Sequence, residues 1–200
     1  MRALSPTPSG AWPDDMEIRV SVNDDQFLEL LYLRECLSLP TTRSWPALSP
    51  PAARRPSMPE LENDKVALWV ERWEGLWERT WNWMVEFQTA RHVVPPHEVF
   101  AAVGVAPRWT ELYGDDCFDR AAFESWKRAI EPPLPTWPSP ERVAIEALTV
   151  AWARGFHSCY VLPFVGQFAQ QVGEHALILS PDTRNDADEY SRVLMDFSPN

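Results

Sequence analysis

Trp69, Trp73, Trp77 and Trp81 recur every fourth residue, and Trp83 follows two positions later. Turned at about 100° per residue from Trp69, the other four fall at about 40°, 80°, 120° and −40°, so all five share one side of a helix. Val66, Val70, Leu76, Met84 and Phe87 lie in the same arc, while Glu71, Glu78, Asn82 and Glu86 lie opposite. The spacing therefore predicts a long helix with one broad apolar face and one acidic face. A stripe this wide normally packs inward, so the core is the expected place for most of these indoles. Any indole left accessible at one end would line a groove for a flat, apolar or proline-rich ligand, which makes Trp69, Trp73, Trp77, Trp81 and Trp83 the candidate ligand or partner face.

Twenty prolines against seven glycines imply stiff, extended connections more than flexible ones. They gather at residues 38–60 and 132–140, where a regular helix is not expected. The first of these straps directly precedes the tryptophan helix. One expectation is that it folds back over the indoles, through Trp45 and Pro46 or through Pro56 to Pro59.

Elsewhere, short patterns mark the elements. Residues 1–15 read as a flexible tail. Met16 to Val22 alternates apolar and polar side chains, the signature of a half-buried strand. Asn23 or Asp24 can cap a following helix that runs to about Leu37. The tryptophan helix, capped by Asn63 or Asp64, should fade near Val93 before Pro95 and Pro96. Further helices are expected at about 97–103 and 118–130, and from Ser139 and Pro140 to at least Trp152. Residues 155–166 are apolar but interrupted by proline and glycine, and periodicity assigns them no element. His175 to Leu179 reads as a strand, Pro181 to Asn185 as a turn, and Asp186 to Glu189 as a capping box opening a last helix on Tyr190, Val193, Leu194 and Phe197. The expected fold is α+β: one domain over residues 16–200, mainly about five helices, with a small sheet from strands near the two termini lying side by side.

Charge narrows the function. The formal net charge of −11 repels phosphate backbones and anionic lipid, so neither nucleic acid nor membrane is an expected partner, and a basic protein is. No uncharged run reaches the roughly 18 residues of a membrane-spanning helix, and the first residues lack the apolar stretch of a signal peptide. Cys36, Cys117 and Cys159 are odd in number and unpaired in spacing, which suits a reduced, cytoplasmic setting.

Catalytic and metal patterns are sparse. His157, Cys159 and Tyr160 bring a potential base and nucleophile together in sequence, yet residues two apart do not face each other on a helix. Asp115, Asp116 and Asp119 would suit a cation or acid/base site, but they also precede a helix, where carboxylates cap amides. His92, His97 and Glu98 lack one-face ligand geometry, so no metal is expected. No phosphate loop, nucleophile elbow or paired-cysteine motif occurs, and no cofactor is expected. The function expected is a non-catalytic protein-interaction domain, of inhibitor, immunity or adaptor type. The alternative is a small-molecule-binding domain or enzyme with a pocket beside the tryptophan helix, rimmed by Asp115, Asp116, His157, Cys159 and Tyr160.

Overall fold

Alternation at residues 16–22 yields a strand, β1 (Arg19–Val22), and the turn after it places Asn23 at φ 56° and Asp24 as the N-cap of α1 (Asp25–Cys36). Asp24 Oδ1 accepts the amide of Gln26 at 3.3 Å, so a side-chain oxygen satisfies one of the free donors of the first turn. The computed structural model describes residues 12–42, 44–52, 63–95, 97–114, 118–131 and 137–199. Among these residues the chain is α+β.

The tryptophan helix is α2 (Asn63–Val93), 31 residues long. Its expected caps, the side chains of Asn63 and Asp64, lie outside the described residues, as does the tail at 1–11. Short helices α3 (Val99–Val103) and α4 (Trp109–Tyr113) follow, then α5 (Arg120–Ala129), whose first turn is capped by Asp119. Ser139 caps α6 (Pro140–Val143) as its sequence predicts, but the helix breaks at Ala144 and resumes as α7 (Ile145–Ala153).

Next come β2 (Ser158–Val161), β3 (Ala169–Val172) and β4 (Ala176–Leu179), and finally α8 (Pro181–Asn185) and α9 (Ala187–Asp196). The turn expected at 181–185 is therefore helical. Ser180 accepts the Thr183 amide and proline occupies the first turn, the same device that opens α6.

The sheet order is β1-β2-β4-β3, with β3 antiparallel to β4 and the other pairs parallel. The two strands expected near the termini both form, but they are not neighbours: Val20 pairs with Cys159, and Cys159 with Leu177. The strand between them comes from the segment that periodicity left unassigned. Every residue of β2 and β4 is buried, because helices cover both faces, and a strand covered twice reads as a continuous apolar run.

On one face, Tyr160 and Ile178 share a core with α1, α2 and α5, through Phe27, Leu31, Trp73, Trp77 and Phe123. On the other, Cys159, Leu177 and Leu179 pack with α7 and α9 through Leu148, Tyr190 and Leu194. Tyr32 gathers Phe118, Phe123 and Trp126 at ring separations of 5.9, 5.4 and 5.7 Å, which fixes α5 against α1.

Candidate functional site

The fate of the tryptophan face is uneven along α2. Trp69, Trp73 and Trp77 are buried. Trp73 Nε1 donates to the Leu30 carbonyl at 2.6 Å, and its ring stacks on Trp77 with centroids 5.1 Å apart. Trp69 stacks on Trp109 of α4 at 5.3 Å. These three indoles belong to the core.

Trp81 is half-buried and lies under the strap. Trp45 places its ring 4.5 Å from Trp77 and 6.4 Å from Trp81, so the Trp45 arm of the fold-back is present. The strap is held there by main-chain bonds to the loop after β2, Ser49 N to Pro163 O at 2.8 Å and Val165 N to Ala47 O at 2.9 Å. Arg34 and Trp126 secure it from below by donating to the carbonyls of Pro46 and Pro50. Pro56 to Pro59 lie outside the described residues.

Past the strap the face is open. Trp83 is half-buried; its Nε1 donates to the Gly104 carbonyl at 3.2 Å and its ring stacks on Phe87 at 4.9 Å. Phe87 meets Phe100 of α3 at 5.3 Å. Gly104, at φ 78°, ends α3 in a conformation that side chains rarely adopt, and the chain then turns to expose Val105. Phe100 and Val105 are 58% and 77% exposed, an uncovered apolar ridge beside a cleft of about 410 Å³.

Three other elements close the cleft. Arg19 and Ser21 come from β1, Asp24 and Gln26 from the start of α1, and Arg108 and Glu111 from the start of α4. Its floor includes Tyr160, only 4% exposed. Gln88, from the buried side of α2, donates through Nε2 to the Tyr160 hydroxyl, and its Oε1 accepts from Ser158 Oγ at 2.8 Å. This buried Ser158–Gln88–Tyr160 chain ties the tryptophan helix to the central strand.

Burial pushes the Asp24 carboxyl up to about 6, against the Gln26 amide that favours its charged form, and neighbouring Asp25 adds to the rise. Burial likewise raises Glu29, which Arg108 opposes from 3.6 Å. The Tyr160 phenol is raised by burial and then by Asp24, so it stays protonated and can only donate or accept hydrogen bonds.

The sequence-derived rim is brought together only in part. Tyr160 lines the cleft beside Trp83, whereas Cys159 points to the opposite face of the sheet, is fully buried, and has its thiol pushed up to about 12 by desolvation. His157 precedes β2; its ring sits 5.7 Å from His175, and it does not line the cleft. Base and thiol are therefore not assembled. Asp115 and Asp116 lie outside the described residues, and Asp119 caps α5 through the Ala122 amide at 2.8 Å. Among the described residues no three His, Cys, Asp or Glu side chains group to hold a metal ion.

Arg19, Asp24, Phe100, Val105, Arg108 and Glu111 were not singled out as site residues by the sequence. One signal did exist. Gln88 falls at about 100° on the wheel, inside the apolar arc, where a polar side chain needs a buried partner. Comparison with known protein families, curated proteins and solved structures finds no match to this chain.

Proposed function

We propose that this protein is a non-catalytic interaction domain, of inhibitor, immunity or adaptor type, that grips an apolar anchor residue of a basic protein partner in the cleft at the open end of the tryptophan helix. The observation that carries this reading is the exposed pair Phe100 and Val105, set beside the half-buried rings of Trp83 and Phe87, on a helix that Trp45 roofs at Trp77 and Trp81. Aromatic clefts of this size suit one large anchor side chain, and such anchors dominate interface energetics.

Charge supports the partner class. The net charge of −11 steers a basic surface, and the cleft itself carries the carboxylates of Asp24 and Glu111, the latter exposed. A cytoplasmic setting belongs to the same proposal, supported by the buried thiol of Cys159, which forms no disulfide. Among the described residues no helix is long and apolar enough to cross a membrane.

A second reading, a small molecule in the same cleft, is favoured by one observation. The Tyr160 hydroxyl accepts from Gln88 and keeps its own proton for a ligand.

Selection from a displayed peptide library tests the first reading. The expected winners carry an aromatic or large aliphatic residue flanked by Lys or Arg, and they lose at least about tenfold in affinity on Phe100→Asp, a loss of about 1.4 kcal/mol. Peptides without that pattern, or peptides that bind the Phe100→Asp variant equally well, overturn it.

A further inference from the structure

The sheet has a second place where a ligand can enter, at its opposite end from the strand starts. Chain leaving β1 turns at Asn23 into α1 on one face of the sheet, whereas chain leaving β4 turns at Pro181 into α8 and α9 on the other. Between them β2 ends at Val161 and runs into buried Pro163. Where the parallel strands on either side of β2 send their connections to opposite faces, the loops part and leave a crevice beyond the carboxyl ends of the strands, the usual position of ligand sites in open sheets.

A cavity of about 610 Å³ lies there, within the range of sites that enclose drug-sized molecules. It is separate from the aromatic cleft, with no lining residue in common among the described residues.

The lining dictates the chemistry. Val22, Val161, Ile130 and the rings of Pro138, Pro163 and Pro181 give an apolar wall that, at the prolines, has no amide to donate. Asn23 is committed by its Nδ2 to the Ile130 carbonyl at 2.8 Å, which fixes the wall between β1 and α5. Arg184 lines the cavity with its charge already balanced: Nε and Nη2 donate to the two Glu141 oxygens at 2.7 and 3.0 Å. A guanidinium has five N–H groups, and this fork uses two, so the others can meet an acceptor without an uncompensated positive charge. Such a site favours a neutral acceptor over a carboxylate or phosphate, because a buried anion there would face Glu141 as well as Arg184.

We propose that this cavity binds a neutral, mainly apolar small molecule that presents one carbonyl-type acceptor, an amide, ester or lactone, to the spare N–H groups of Arg184. The site is independent of the partner cleft, so the two proposals fail separately.

The test is an amide-resonance titration of the full chain with a panel of neutral amide and lactone fragments, each matched to a carboxylate of the same shape. Neutral fragments are expected to shift the amides of Asn23, Val161 and Arg184 with Kd below about 1 mM. Matched carboxylates should bind at least about tenfold more weakly. Val143→Trp and Ala187→Trp, which place an indole in the cavity from exposed positions on α6 and α9, should each abolish the shifts while the amides around Trp83 stay unmoved. Using two such variants guards against one that folds poorly. The proposal is overturned if no neutral fragment moves these amides, if carboxylates bind as well, or if the folded Trp variants bind unchanged.

Discussion

The indole of Trp45 lies 4.5 Å from that of Trp77, centroid to centroid, with 51° between the ring planes. Trp45 also stacks near-parallel to Phe164 at 6.0 Å and meets Phe168 at 5.8 Å, so one strap residue joins the tryptophan helix to the loop between β2 and β3. Trp45→Ala is expected to cost about 2 to 3 kcal/mol in urea denaturation, below the range for a fully buried Trp because Trp45 is only half-buried. Deleting residues 44–58 should shift tryptophan emission to the red as Trp77 and Trp81 gain water. Unchanged emission would remove the strap from the core.

Thr80 is fully buried on α2, yet its hydroxyl has no hydrogen-bond partner among the described residues. A hydroxyl buried this way carries its desolvation cost without return. Thr80→Val keeps the branched shape and the helix propensity while deleting that group, and should gain about 1 kcal/mol. Thr80→Ser, which retains the hydroxyl, should gain nothing. Equilibrium denaturation of the three proteins decides the matter.

Asp24 has its folded-state carboxyl raised to about 6 from 3.8, chiefly by burial. The sign follows from linkage. A raised carboxyl favours the folded state fully below the unfolded value, and that advantage is lost as pH climbs through about 6. Asp24→Asn keeps an N-cap acceptor and removes the buried charge. It should stabilise the protein by about 1 kcal/mol near neutral pH, the full shift being discounted for solvent access, and by almost nothing near pH 4. Stability curves of the two proteins that run parallel over this window would mean that Asp24 is solvated.

Cys36 and Cys159 are both fully buried, and burial raises both thiols, that of Cys159 to about 12. Because the thiolate is the nucleophile, neither should be alkylated by iodoacetamide in the native protein at about pH 8, and both should label in denaturant. Peptide mapping reads this directly. Rapid native labelling at Cys159 would restore it as a reactive group.

Local signals in the chain were legible where one residue's chemistry decides the outcome. Asp24, Asp119, Ser139 and Asp186 cap helices because a short oxygen beside a free amide needs no distant partner. The inward face of α2 followed from its 3.6-residue period. What the sequence hid was non-local. The apolar stretch of β2 has no alternation because both its faces are covered, so its place between β1 and β4 was invisible to any pattern test. The expected turn at Pro181 became a helix although Ser180 and Pro181 repeat the signature read correctly at Ser139 and Pro140. The cleft was hidden for the same reason as the sheet: Asp24, Trp83, Arg108 and Tyr160 meet only after distant segments have packed.

The pairing of β1 with β2 has a consequence for the order in which the molecule can be made. Arg19 pairs with Ser158, and 158 − 19 leaves the partners 139 positions apart. At a translation rate of about 5–20 residues per second, the first strand waits roughly 7 to 28 seconds for the residues that pair with it. During that interval α1 and the tryptophan helix are already outside or leaving the ribosome with their apolar faces lacking the sheet they pack on. Until the central strand emerges, the parallel pairing that anchors β1 cannot form, so the sheet is among the last parts of the fold to be completed.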